Sequence, residues 1–149
     1  MNRRFAAASV LLATFALSSV AGADETPTPR ITVEIGALRS AKGVVRCSLY
    51  ASANGFPTDP SKAAALVIAP SIANGDAVCI VDNVKPGTYA VGFLHDENNN
   101  GKMDTNFLGM PTEGYGASNN ARGTMGPPSF NAAKFTHESQ TTLHLKTEY

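Results

Sequence analysis

The sequence predicts an all-β protein, folded as a single antiparallel β-sandwich with one short helix at most and one long loop rich in glycine and asparagine. Two observations carry this prediction. Several short segments alternate apolar and polar residues, which is the period-two pattern of strands buried on one face. Turns containing glycine or proline separate these segments, and hardly any stretch shows the period of an amphipathic helix.

The first 23 residues are predicted to be a signal peptide. Two arginines precede the apolar stretch Phe5 to Val20, and the small residues Ala21-Gly22-Ala23 form a signal peptidase site, so cleavage is expected after Ala23. The apolar stretch is shorter than the roughly 20 residues of a spanning helix, which makes an uncleaved anchor the weaker interpretation. We therefore expect an exported protein, periplasmic or secreted, because the same signal serves both.

The elements of the sandwich follow along the rest of the chain. Residues 24–30 are polar and proline-rich and are predicted to be a flexible lead-in to the domain, residues 31–149. Alternation of apolar and polar residues predicts five strands: Ile31 to Ile35, Gly43 to Ala51, Ala77 to Val84, Gly87 to His95 and Thr141 to Thr147. Phe130 to Phe135 is a candidate for a further strand. Ser61 to Ala69, bracketed by prolines, is the one candidate for a short helix or turn.

Charge and cysteine content restrict the class of protein. Without the signal peptide the chain has ten basic and twelve acidic residues, a formal charge of −2, and no basic run. It therefore offers no electrostatic footprint for nucleic acid or for an anionic membrane. Cys47 and Cys79 fall in two different predicted strands, and an exported chain meets an oxidising compartment, so a structural disulfide between them is predicted. Two buried free thiols are the alternative.

The segment that follows the fourth strand resembles a cation-binding loop. Asp96, Asn98, Asn100, Lys102 and Asp104 stand at alternate positions around a glycine, as do the ligands of an EF-hand loop, where the residue at the position of Lys102 contributes its carbonyl. The twelfth position, normally a bidentate glutamate, is Phe107 here.

Glu113 could fold back as the missing carboxylate, which predicts a weak Ca²⁺ site built from Asp96, Asn98, Asn100, Lys102, Asp104 and Glu113. The alternative is a metal-free hairpin tip in which the asparagines form Asx-turns.

The remainder of the long loop, up to Ser129, is predicted to be ordered. Structureless loops of this length are uncommon in compact domains unless they are functional. Phe107, Met110 and Tyr115 are candidates for an interaction surface, because amphipathic aromatic side chains serve contacts with proteins or sugars. The alternative is that these side chains pack within the loop itself.

Catalytic patterns are weak. His95 stands beside Asp96, but Ser118 does not lie in a Gly-x-Ser-x-Gly motif, and the spacing of His137 and His144 fits no zinc site. Asp96 and Glu113 are conceivable as a glycosidase pair, but two carboxylates in one loop with several asparagines favour a structural or cation-binding role. A hydrolase is therefore the minor alternative, and the protein is not expected to be an enzyme.

The long loop and its flanks also carry a family resemblance. The motifs His95-Asp96-Glu97-Asn98, Asn106-Phe107-Leu108-Gly109, Glu113-Gly114-Tyr115-Gly116 and Gly126-Pro127-Pro128-Ser129-Phe130 are similar to those of domain of unknown function 2141, a family of small exported bacterial proteins. The upstream Pro86-Gly87-Thr88-Tyr89 also fits. The resemblance covers nearly all of the mature chain and implies a transthyretin-like or carboxypeptidase-regulatory-like sandwich. It implies no catalytic residues.

Together these features predict an exported, non-enzymatic protein of the cell envelope or medium. In the leading hypothesis Ca²⁺ orders the long loop, which then presents its apolar side chains to an unknown protein or glycan partner. The alternative is a small-ligand or glycan-binding module that uses the same loop without a metal.

Overall fold

The computed structural model describes residues 27–149, and the predicted signal peptide and the first part of the lead-in lie outside this range. These residues form nine strands: β1 (Arg30–Gly36), β2 (Val44–Tyr50), β3 (Ala65–Ile68), β4 (Ile72–Ala73), β5 (Asp76–Asp82), β6 (Gly87–Asp96), β7 (Gly114–Ala117), β8 (Phe135–His137) and β9 (Gln140–Lys146). Helical structure in this range consists of the four-residue helix α1 (Phe130–Ala133) and two 3-10 turns, Pro60–Lys62 and Ser118–Asn120. The all-β prediction is confirmed. None of the helices in residues 27–149 is long and apolar enough to cross a membrane.

The strands form two sheets. One has the order β4-β5-β1-β9, and the other has the order β3-β2-β6-β7 with β8 also paired to β6. Every pair of strands is antiparallel except β1 and β9, which run parallel with Val33 opposite Leu143. The antiparallel sandwich of the prediction is therefore corrected to a mixed one, because the last strand enters the first sheet beside β1 and in the same direction.

The core lies between the two sheets. Alternate residues of β1, β2, β5 and β6 point inward and are buried, including Ile31, Val33, Ile35, Val45, Leu49, Val81, Val91 and Phe93. Side chains of this kind stabilise by about 1.5–3 kcal/mol each when removed from water. The same faces carry Cys47 on β2 and Cys79 on β5, and the predicted disulfide between them is present, with Cα atoms 6.4 Å apart. The bridge joins the two sheets, and such bonds are typical of oxidising compartments.

Two sequence predictions of secondary structure are wrong. Ser61 to Ala69 is not helical beyond the 3-10 turn, which Asp59 caps by accepting the Ser61 N–H at 3.0 Å. Residues 65–68 instead form β3, because Ala65 and Val67 pack against the core while Leu66 and Ile68 face outward.

Phe130 to Phe135 is also not a continuous strand. The Ser129 side chain accepts the Ala132 N–H at 3.2 Å and caps the one-turn helix α1, and the chain becomes extended again only at Lys134. The predicted ordered loop likewise contains regular structure, since β7 occupies residues 114–117.

Candidate functional site

The candidate site lies at one end of the sandwich, where the β1–β2 connection meets the β6–β7 connection. The latter, residues 97–113, is called the 97–113 loop. The two connections approach each other closely at Gly43, whose φ is +67° and where an added Cβ would lie 1.9 Å from the Asp96 carbonyl oxygen. Only glycine fits this position, because any side chain would collide with backbone. Strand pairing of β2 with β6 brings Val44 opposite Asp96 at this end.

Asp96 anchors the start of the loop. Its side chain is fully buried and accepts a hydrogen bond from Arg46 Nε at 2.6 Å. The backbone N–H groups of Asn100 and Gly101 donate to the same carboxylate at 3.0 and 2.8 Å. Burial favours the neutral acid, but the Arg46 hydrogen bond and charge and the two backbone donors outweigh it, so the pKa of Asp96 lies below its ordinary value. Asp96 is therefore held as a carboxylate paired with Arg46.

The asparagines turn the chain locally. Asn98 Oδ1 accepts the N–H of Asn100 at 3.1 Å, and Asn100 Oδ1 accepts the N–H of Lys102 at 3.0 Å, which are two consecutive Asx-turns. Both side-chain amides then donate to the carboxylate of Asp104, at 2.5 and 2.9 Å. The predicted ligand residues are thus brought together, and they are bonded to one another.

Glu113 closes the loop from its far end. It is 4% exposed, and its two carboxylate oxygens accept the backbone N–H groups of Glu97 at 2.8 Å and Asp104 at 3.1 Å. One side chain therefore ties the start and the middle of the 97–113 loop to its last residue. Among residues 27–149, no buried side-chain nitrogen or oxygen is left without a hydrogen-bond partner.

The predicted Ca²⁺ ligands are bonded to groups of the protein in this structure. The carboxylate that would stand at the first ligand position is occupied by the guanidinium of Arg46, and Glu113 binds backbone N–H groups. No group of three or more His, Cys, Asp or Glu side chains in the described part of the chain is placed to hold a metal ion. Calcium binding by the six predicted residues stays a prediction.

Beyond Asp104 the loop projects as a small hairpin. A β-bridge joins Thr105 to Pro111, and residues 106–110 between them are called the loop tip. Asn106 organises the tip: its N–H donates to the Met110 carbonyl, and its side-chain oxygen accepts the N–H groups of Leu108 and Met110 at 2.9 and 3.0 Å.

The apolar side chains of the tip face solvent. Phe107 is 95% exposed, Leu108 is 72% exposed and Met110 is 59% exposed. Two of the three residues predicted as an interaction surface therefore lie outside any packed cluster. The third, Tyr115, lies on β7 and is half-buried beside Leu94. Leu108 is a third exposed apolar residue of the tip that was not predicted as part of the surface.

A polar cleft of about 580 Å³, open to solvent, lies beside the base of the loop. Arg39 crosses it, with its guanidinium 4.3 Å from the Tyr149 ring centroid and bonded to the Glu97 carboxylate and the Thr112 carbonyl. The Arg39 hydrogen bond, reinforced by Ser40 and only partly opposed by burial, lowers the pKa of Glu97. Arg39, Arg46 and Tyr149 contribute contacts to the candidate site that were not predicted from the sequence, since all three are distant from the loop in sequence.

The histidine and serine considered as catalytic groups are engaged in structural contacts. His95 is fully buried, with Nδ1 2.8 Å from the Tyr149 hydroxyl and Nε2 2.9 Å from the Lys42 carbonyl. Ser118 is buried and donates to the Ala133 carbonyl at 2.6 Å. Both ring nitrogens of His95 are therefore in hydrogen-bonding contact with groups of the protein.

Comparison with known proteins gives one result. No curated protein matches the chain with statistical significance, and no solved structure does. Residues 33–144 match the family described as an uncharacterized protein conserved in bacteria, DUF2141. This range includes all of the 97–113 loop and most of both sheets. The chain therefore belongs to the DUF2141 family.

Proposed function

We propose that the protein is an exported, non-enzymatic recognition module whose loop tip is the contact surface. The observation that carries the proposal is the exposure of Phe107, Leu108 and Met110 on a hairpin turn whose backbone is fixed by Asn106. Exposed apolar side chains clustered in this way mark interaction sites. A turn held in one conformation also loses little entropy when it binds.

Support for a role in recognition comes from how the polar groups of the site are used. The carboxylates of Asp96 and Glu113 bind groups of their own chain, and His95 is bonded at both ring nitrogens. Catalysis needs a polar group that can reach a reacting atom. The buried network instead holds the loop in place, which is the task of a scaffold.

We propose further that the loop takes this shape without Ca²⁺. Arg46 supplies the positive charge that a metal ion would bring to Asp96, and the Asx-turns and Glu113 complete the loop. Calcium would have to displace Arg46 from Asp96 and reorient both asparagine amides. An exported location is favoured by the disulfide and by the signal-like first 23 residues.

A second candidate is binding of a small ligand or glycan in the open cleft. The specific observation in its favour is a 580 Å³ space with hydrogen-bonding side chains, including Lys42, Asn98 and Thr112. Changes in the backbone amide resonances of these residues on titration with a panel of sugars would support this candidate. Unchanged resonances would count against it.

The recognition proposal is tested by photo-crosslinking in the cells that export the chain. A photoreactive phenylalanine analogue is placed at position 107 and, as the matched control, at position 125, where Met125 is 100% exposed in a different loop. A specific adduct formed from position 107 and not from position 125 supports the proposal. No adduct from position 107, or the same adducts from both positions, would contradict it.

A further inference from the structure

We infer that the loop tip inserts into the interfacial region of a lipid bilayer. This inference rests on the proposed function, because it names the partner that the exposed tip contacts. The side chains that would enter the membrane are Phe107, Leu108 and Met110, and the two sheets would remain in water.

The first argument comes from the backbone of the tip. In an apolar medium, N–H groups must find their acceptors within the protein. The N–H groups of Asn106 and Gly109 donate to carbonyls of the tip, each at 2.9 Å, and those of Leu108 and Met110 donate to the Asn106 side chain. Four of the five N–H groups of the tip are therefore satisfied internally, which lowers the cost of leaving water.

The second argument comes from composition and shape. Residues 105–111 contain no charged side chain, and the three exposed apolar residues fall within four consecutive positions of a projecting turn. Apolar side chains at the end of a projecting turn can reach the boundary of the acyl chains while the sheets stay in water. A protein groove is instead typically filled by the apolar face of a helix or strand.

The third argument is the size of the tip. Three side chains of this kind supply on the order of 400 Å², about half of the ~800 Å² that each partner contributes to a stable protein interface. The strength of an interfacial membrane contact scales with the apolar area buried at the boundary of the acyl chains, so an area of this size contributes to membrane binding without a matching protein surface.

The chain has no tryptophan, which makes a direct test available. The Phe107→Trp variant carries a single indole at the tip, and the Met125→Trp variant carries one at an equally exposed site elsewhere. Residues 27–149, which contain both sheets and the disulfide, are mixed with phosphatidylcholine vesicles, and separately with vesicles that also contain phosphatidylglycerol. Indole emission and its quenching by brominated lipid are recorded in low and high salt.

The inference predicts a blue shift and bromine quenching for Phe107→Trp in both kinds of vesicle and in high salt, with Met125→Trp unchanged. Co-sedimentation with vesicles measures the partition coefficient of the chain. In the Phe107→Ser/Leu108→Ser/Met110→Ser variant this coefficient should be at least about tenfold lower than in the unaltered chain, because burial of one apolar side chain alone contributes about that factor.

Three results would overturn the inference: no shift for Phe107→Trp, equal shifts for both variants, or a shift confined to anionic vesicles and abolished by salt. A protein adduct from position 107 in the crosslinking experiment, together with no shift of the Phe107→Trp emission, would exclude the membrane as the partner and leave the recognition proposal standing.

Discussion

Replacing Arg46 by methionine removes the one side-chain cation bonded to the buried carboxylate of Asp96. The pair has an N–O distance of 2.6 Å, with Arg46 20% exposed and Asp96 completely buried. Breaking a buried pair by removing one partner costs about 3–5 kcal/mol. Two backbone N–H groups still bind the carboxylate, so we expect the lower end, about 3 kcal/mol. With an unfolding entropy of about 2.1 cal/mol/K per residue, this loss lowers the Tm by roughly 10 °C.

Urea unfolding at pH 7 measures this loss, and the Arg30→Met variant is the matched control. Arg30 Nε and Asp82 Oδ1 are 2.5 Å apart, but both side chains are 43% exposed. An exposed pair contributes about 0–1 kcal/mol, so the control should be nearly as stable as the unaltered chain. Equal losses in the two variants, or no loss for Arg46→Met, would refute the claim that Arg46 holds the loop through Asp96.

Three further predictions concern calcium, the disulfide and pH. Millimolar Ca²⁺ should leave the Tm unchanged relative to chelator, because Arg46 already forms an ion pair with Asp96. A Ca²⁺-dependent rise in Tm that Asp96→Ala and Asp104→Ala both abolish would establish the metal site and contradict this account. The Cys47→Ala/Cys79→Ala variant should lose about 3–4 kcal/mol in urea unfolding, since the bridge closes a loop with a sequence separation of 32; a loss below about 1 kcal/mol would contradict the entropic reasoning. The pKa of Asp96 in the folded protein lies below its ordinary 3.8, so the stability that this carboxylate contributes is complete above pH 3.8 and is lost as the pH falls through the folded pKa. The free energy of unfolding of Asp96→Asn should therefore depend less steeply on pH in acid than that of the unaltered chain. The same pH dependence in both proteins would count against the pairing with Arg46.

Much of the fold could be predicted from the sequence because a sandwich strand with one buried face alternates residue by residue. That pattern located β1, β2, β5, β6 and β9. It failed at β3, where an alanine-rich stretch between prolines resembles a short helix and only pairing with β2 makes it a strand. It failed also at β7, since Gly114-Tyr115-Gly116-Ala117 carries no alternation of apolar and polar residues. The parallel pairing of β9 with β1 is a property of the whole topology, which local patterns do not encode.

The site was predictable to the extent that it is local. Alternate oxygen-bearing side chains around Gly101 predicted a tightly turned loop, and its residues do converge. The cation that faces Asp96 was not predictable, because Arg46 is 50 residues away and reaches the carboxylate only through the register that places it opposite Leu94. Whether Phe107 packs or projects was equally open, since both outcomes have the same local sequence.

Hydrogen exchange of the backbone amides in the 97–113 loop tests most directly whether the loop is ordered by protein groups alone. The ¹⁵N-labelled chain is measured by NMR in the presence of a chelator and again with Ca²⁺. We predict protected amides in chelator at Asn100, Gly101 and Asp104, which donate to Asp96 and Glu113, and at Leu108 and Met110, which donate to Asn106. Exchange of these amides at unprotected rates in chelator, with protection gained only when Ca²⁺ is added, would contradict the account.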